Sequence, residues 1–213
     1  MNQSGFYGQL ISHLEIKVPL NFLKWESYCT LICDKEGRAQ GSTDVPLDEE
    51  GIAMAERVAE RLANEEWDII YTSPLNRAKL TAEIIVSKQP HLQLIVDKRL
   101  GEIGGGLIEG TTEEERVAKW GLNWRNLELG FEKTEAIIAR SEAFIDDIKQ
   151  AYPGKRVLVV CHGGLISRIV RHLLPYNDYS QDIGNTSLTI IELTERETLC
   201  HLYNCMEHLT IKQ

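Results

Sequence analysis

The chain has 213 residues with 32 acidic side chains against 23 lysines and arginines, a net charge of −9, and that length suits one α/β domain burying about 70% of its unfolded surface. Apolar residues at 43% and charged residues at 26% exclude a disordered chain. The acid excess excludes nucleic acid or an anionic membrane surface as the main partner, but not a small anion, because a few arginines in one pocket reverse the local potential.

No apolar run approaches the roughly 18 residues that a membrane span needs, so no membrane partner is expected. Residues 1–12 lack the basic start and long apolar stretch of a secretory signal. The cysteines Cys29, Cys33, Cys161, Cys200 and Cys205 are odd in number and too sparse for a disulfide framework, which points to a reducing, cytoplasmic setting. Neither Cys29 with Cys33 nor Cys200 with His201 has finger-type zinc spacing, so no metal is expected.

In chain order, residues 1–35 come first, a divergent segment with two weak strand patterns, Gly8–Ser12 and Tyr28–Cys33. The stretch from Val18 to Trp25 separates them, and periodicity does not choose between them. Residues 48–64 read as a helix, with Ile52, Ala55, Val58, Ala59 and Leu62 on one stripe and Asp48, Glu49 and Glu50 suiting its N-terminus. Asp68–Tyr71 reads as a strand, followed by a helix opened by Pro74 and a further strand candidate, Leu92–Val96. Residues 136–151 are helical, with Ile137, Phe144, Ile145 and Ile148 on one face and Pro153-Gly154 as the stop. Arg156–Cys161 is apolar after its arginine, the pattern of a parallel strand covered on both faces. An amphipathic helix with Leu165, Ile166, Ile169 and Val170 follows, then strands Ser187–Leu193 and Thr198–Tyr203 around a polar turn. The alternation predicts a three-layer α/β/α sandwich with a mostly parallel central sheet, as a single domain over 1–213. Its exposed edge strands leave room for a homodimer.

Three segments carry chemistry. Val159-Val160-Cys161-His162-Gly163-Gly164 runs from a buried strand into a helix, the place where open α/β sheets bind ligands. The glycines admit close approach, and the helix start offers unpaired N–H groups to an anion. Tyr71-Thr72-Ser73-Pro74-Leu75-Asn76-Arg77 repeats the strand-to-helix junction and places a cation in a first helical turn, unfavourable unless an anion is near. Arg99-Leu100-Gly101-Glu102-Ile103 leads into a glycine-rich loop that ends at Glu109-Gly110, where a partly desolvated Glu102 gains general-acid character. Each also has a plain structural explanation: a capping histidine, a surface arginine, a solvated glutamate.

Together these segments resemble the histidine phosphatase superfamily, also called the phosphoglycerate mutase-like family. The resemblance runs from Glu36-Gly37-Arg38 through Ser73-Pro74-Leu75 with Arg77-Ala78, Glu102-Ile103, His162-Gly163-Gly164 and Asn185-Thr186-Ser187 to His208-Leu209. It implies attack of one histidine on phosphorus, a second histidine and two arginines on the phosphoryl oxygens, an acid that protonates the leaving alcohol, and water that releases phosphate. His162 matches the second histidine, Arg77 the second arginine and Glu102 the proton donor. Asn185 lies in a family loop beside the site, as a residue that orients His162. The resemblance implies no cofactor and no metal, and as ligand a small phosphorylated substrate or inorganic phosphate. Residues 111–133, with Trp120, Trp124 and Phe131, are expected on the rim or packed on the sheet.

The first motif departs from the family. Counting back from Arg38, its Arg-His-Gly-Glu falls on Ser27-Tyr28-Cys29-Thr30. The segment Leu10-Ile11-Ser12-His13-Leu14-Glu15 keeps the His and the Glu, which makes His13 the candidate nucleophile. It does so only with an insertion before Glu36, with Ser12 for the arginine and Leu14 for the glycine. Cys29 as a nucleophile would need a cradle of backbone amides and an arginine in one loop, which is absent. The expected function is therefore a phosphomonoesterase working through a phosphohistidine, impaired by its first motif. The alternative is a catalytically inactive pseudo-phosphatase that binds phosphate ligands or a protein partner. A phosphoglycerate mutase ranks last, because the stretch between Glu102 and His162 is short and no long tail follows His208.

Overall fold

The computed structural model describes residues 37–179, 181–194 and 196–210, together with the backbone of 23–29. The strand candidate Gly8–Ser12 and the candidate nucleophile His13 lie outside the described residues. Among the described residues the strands are β1 (Leu23–Cys29), β2 (Ile69–Thr72), β3 (Leu94–Val96), β4 (Arg156–Cys161), β5 (Leu188–Leu193) and β6 (Thr198–Cys205). The helices are α1 (Glu49–Leu62), α2 (Asn76–Lys88), α3 (Glu113–Trp120), α4 (Thr134–Ala151) and α5 (Gly163–Leu173).

The strands form one sheet in the order β3-β2-β4-β1-β5-β6. Strands β3, β2, β4 and β1 run parallel, and β5 turns antiparallel against β1 and pairs with β6 as a hairpin. Every residue from Val157 to Cys161 in β4 is buried, because helices cover both faces of the sheet. Ile69, Tyr71, Val157, Val159 and Cys161 pack with Ile137, Phe144 and Ile148 of α4 and with Leu165, Ile169 and Val170 of α5. Ile70, Leu158, Val160 and Leu188 point the other way, onto Val58, Ala59 and Leu62 of α1 and Ala78, Ala82 and Ile85 of α2. That alternation of successive side chains is what makes the three layers.

The helix boundaries follow their caps. Asp48 accepts a hydrogen bond from Gly51 N at 2.8 Å at the start of α1, a contact of the kind worth about 1 kcal/mol. Thr112 and Glu115 close a capping box on α3. One strand assignment needs correction. Of the Tyr28–Cys33 pattern, Tyr28 and Cys29 fall in β1, which begins earlier: Leu23, Lys24 and Trp25 come from the stretch taken as a connection, and Glu26 and Ser27 from between the two. β1 nonetheless lies mid-sheet, with Tyr28 opposite Val160 and Cys29 opposite Cys161.

Candidate functional site

Strands β2 and β4 are neighbours with Thr72 opposite Val160, so their chains leave the sheet at the same edge. Ser73 N still donates to Val160 O at 3.0 Å, after which the chain enters α2. Arg77 is the second residue of α2, and His162 is the residue just before α5. The fold brings together side chains separated by 85 positions: Arg77 Nε donates to His162 Nδ1 at 3.3 Å. With Nδ1 accepting, the neutral ring carries its proton on Nε2, which donates to Ser73 Oγ at 2.7 Å. Ser73 and His162 have no exposure and Arg77 has 1%. Burial, then the charges of Arg77 and Arg140, hold the His162 pKa well below its usual 6.5.

The rest of the Arg77 guanidinium explains the cation in a first helical turn. Its Nη1 donates to Thr43 O and its Nη2 to Gly41 O, both at 2.8 Å. Glu109 shapes that loop. Its carboxylate accepts from Ser42 N and Oγ, from Thr43 Oγ1 and from Gly105 N. Burial opposes the Glu109 charge, but these hydrogen bonds outweigh it and its pKa is lowered. Gly41 has φ +55°, and a Cβ there would run into the Glu109 carboxylate, so only glycine fits. Ser73 and Glu109 stand within the quoted motifs, yet nothing local in the sequence marks the role of either.

Glu102 sits at the N-terminus of α5. Its carboxylate accepts from Gly164 N at 3.2 Å, Leu165 N at 3.1 Å and Ile103 N at 2.8 Å. The expectation of unpaired N–H groups at this helix start is corrected here, because Glu102 itself takes two of them. Burial raises its pKa above 4.5, while those amides and the Arg77 charge pull the other way without overcoming it. Arg140 Nη1 donates to the Arg99 and Gly101 carbonyls and thereby fixes the loop that carries Glu102.

A cavity of about 840 Å³ opens beside this network, with Gly41, Arg77, Glu102, Gly163, Gly164 and Asn185 on its wall. His162 is not on that wall. It lies one layer behind, linked to the cavity by Arg77. Asn185 makes no hydrogen bond to His162, whose ring nitrogens are held by Arg77 and Ser73. Its loop is held from behind: Asn204 Oδ1 accepts from Gly184 N at 2.7 Å, and Asn204 Nδ2 donates to Asp182 O at 2.9 Å. Next in the chain, Thr186 takes φ +50°, costly for a β-branched residue and kept only where the surroundings enforce it.

Residues 111–133 are absent from the cavity wall among the described residues. Trp124 packs instead on Ile108 and Leu129, with Trp120 against the same small cluster, apart from the sheet. Among the described residues, no group of three or more His, Cys, Asp or Glu side chains is placed to hold a metal ion.

The family model described as "Histidine phosphatase superfamily (branch 1)" matches residues 30–206. The positions Ser27-Tyr28-Cys29 fall just before that match. The chain is 34% identical over 175 residues to an uncharacterized phosphatase, PhoE, of Bacillus subtilis, covering 81% of this chain and 89% of that one. It is 29% identical over 184 residues to phosphoserine phosphatase 1 of Hydrogenobacter thermophilus, covering 81% and 87%. Among solved structures it is similar to a mycobacterial glucosyl-3-phosphoglycerate phosphatase in complex with VO3, at 26% identity and a TM-score of 0.75, over 87% of this chain and all of that one.

Proposed function

The chain belongs to the histidine phosphatase superfamily, branch 1, and from that membership we propose that it is a single-domain phosphomonoesterase that binds a small phosphorylated metabolite at the Arg77 end of the cavity and hydrolyses it through a phosphohistidine, with turnover held low by its first motif. The observation that carries this reading is the buried Arg77–His162 pair at 3.3 Å, backing a cavity that also receives Glu102. Phosphoryl transfer depends mainly on position and on charge facing the equatorial oxygens, and Arg77 brings that charge to the wall. His162, neutral and doubly hydrogen-bonded, orients Arg77 in the state described. Contact between its ring and a phosphoryl oxygen requires exchange of the Ser73 hydrogen bond. Asn185 lies on the same cavity wall and offers a further polar contact.

Glu102 is the proposed proton donor. Its raised pKa supports this, because a carboxyl that keeps its proton closer to neutral pH can pass it to a leaving alkoxide. Glu102→Gln is expected to slow hydrolysis of alkyl phosphates about a hundredfold or more, within the usual range for general acids. Hydrolysis of nitrophenyl phosphate should change little, since nitrophenolate leaves without a proton. Equal losses on both substrates would remove Glu102 from the role.

A pseudo-phosphatase is the second reading, favoured by one observation. The register of β1 sets Tyr28-Cys29 opposite Val160-Cys161, beside His162, where the resemblance expects the nucleophilic histidine. A tyrosine phenol stays protonated at neutral pH, with an ordinary pKa of about 10. The deciding experiment measures phosphate-ester hydrolysis and inorganic phosphate binding for wild type, His13→Ala and His162→Ala. The expected result is retained phosphate binding with weak turnover that His162→Ala removes. Robust wild-type hydrolysis abolished by His13→Ala would identify His13 as nucleophile and overturn the impairment. Binding with no turnover in any form leaves the pseudo-phosphatase.

A further inference from the structure

Four arginines, Arg38, Arg77, Arg168 and Arg171, reach the cavity wall against two acids, Glu102 and Asp182, in a chain of net charge −9. Arg77 serves the inner end. Arg38 donates to the Glu115 carboxylate and to Gly110 O. The other two arginines come from α5 and follow a pattern. Gly164, Ser167, Arg168 and Arg171 stand at i, i+3, i+4 and i+7, and all four line the cavity. Leu165, Ile166, Ile169 and Val170, between them in sequence, are buried against the sheet.

One stripe of α5 therefore forms a wall that starts at the Glu102 carboxylate and climbs about 10 Å to Arg171, at 1.5 Å per residue. Helical side chains lean towards the N-terminus, so both guanidinium groups tilt back towards the Arg77 end. Arg168 and Arg171 are like charges at i,i+3, an unfavourable pairing, and His172 follows at i+4. The helix dipole accounts for Arg171, which lies in the last turn and also donates to Tyr179 O at 3.0 Å. It does not account for Arg168, one turn earlier and exposed. Among the described residues, neither Arg168 nor Asp182 makes an ion pair. The missing element on this wall is an anion.

We propose that Arg168 and Arg171 form a second anion subsite at the outer part of the cavity, so that the preferred ligand is a phosphate monoester carrying a second acidic group, a carboxylate or another phosphate, within roughly 10 Å of the first along the helix. This rests on the reading that the Arg77 end takes a phosphoryl group. The cavity is large enough, since about 840 Å³ is the space of a whole small-molecule ligand and not of phosphate alone.

Titration calorimetry with four probes tests it: inorganic phosphate, glycerol phosphate, phosphoglycerate and propanediol bisphosphate. Glycerol phosphate differs from phosphoglycerate in carrying a neutral hydroxymethyl group where the latter has its carboxylate. Wild type is expected to bind phosphoglycerate, propanediol bisphosphate or both about tenfold more tightly than glycerol phosphate, as charge-assisted hydrogen bonds give. The arm that gains identifies the second group. The double variant Arg168→Gln/Arg171→Gln should lose the preference, while inorganic phosphate stays within about twofold, because both arginines are exposed and water and salt weaken their pull on an ion held at the inner end. Its melting temperature should change little, since relief of the like-charge pair is set against loss of the Arg171 hydrogen bond to Tyr179 O. Equal affinity of wild type for all three esters overturns the subsite, as does a preference that survives the double variant. Failure of inorganic phosphate to bind wild type overturns the phosphate-site reading itself, a different outcome.

Discussion

Arg77→Ala should abolish phosphate binding and cost the fold several kilocalories. The guanidinium faces the cavity and holds three acceptors behind it: His162 Nδ1, Gly41 O and Thr43 O. Losing a charge-assisted, multidentate grip on phosphate weakens binding by about a hundredfold or more. The stability loss comes from the acceptors, since a buried group left without its partner costs about 1–3 kcal/mol. With partial rescue by water, a total of roughly 3–5 kcal/mol is expected, and at about 2–4 °C per kcal/mol the melting temperature drops by roughly 6–20 °C. Arg77→Lys keeps the charge, but one ammonium cannot span acceptors on two loops, so it should recover part of the stability and little of the phosphate affinity. Calorimetry with inorganic phosphate and a thermal melt read the two effects separately. An Arg77→Ala protein with wild-type affinity and melting temperature would falsify the role of this side chain at both ends.

Acid should unfold the protein in part through His162. Burial, with Arg77 and Arg140 beside it, keeps the folded imidazole neutral well below pH 6.5. The unfolded imidazole takes up a proton near pH 6.5, so below that pH the unfolded chain binds more protons and stability falls with falling pH. At pH 5 this single group accounts for at most about 2 kcal/mol, the limit set by the unfolded imidazole at 1.36 kcal/mol per unit. His208, held down to about 4 by burial and by the charge of Arg61, acts in the same direction. Glu102 acts oppositely. Its folded pKa is raised, so the folded state keeps its proton longer, and stability falls as pH rises above 4.5 through the folded value. Urea unfolding of wild type and His162→Gln from pH 7.5 to 5 isolates the histidine, because the other two groups are common to both. The two curves should converge by up to about 2 kcal/mol on acidification. Parallel curves would mean that His162 titrates normally in the folded state.

The legibility of this fold in its sequence depended on how far each element obeyed its usual pattern. β4 was readable because a parallel strand covered on both faces must be apolar, as Val157 to Cys161 are. The stripes of α1, α4 and α5 were readable because each packs one side against the sheet. β1 was not, because Lys24, Glu26 and Ser27 break the apolar run expected mid-sheet. At the site, His162, Arg77 and Glu102 stood out through position in motifs, and the structure sets Arg77 and Glu102 on one cavity wall with His162 behind Arg77. What the sequence concealed was which groups they satisfy. Ser73 facing His162 Nε2, and the carbonyls of Gly41 and Thr43 facing Arg77, arise from loops that meet only in three dimensions. The Glu102 carboxylate on the α5 amides joins segments 62 residues apart, and no local pattern encodes that.

The place of β1 also governs how the chain is assembled. It is the first strand among the described residues, yet both its partners come late, at Arg156–Cys161 and Leu188–Leu193. At about 5–20 residues per second, roughly 6–25 seconds of synthesis separate β1 from the first of them. Until then β2 and β3 can pair locally, but the centre of the sheet has no one to accept. Sheet closure is thus a late, long-range event, and long-range strand pairing of this kind is intrinsically slow. A chain that ends before β5 leaves an open edge on its middle strand, the surface on which intermolecular strand pairing and aggregation begin.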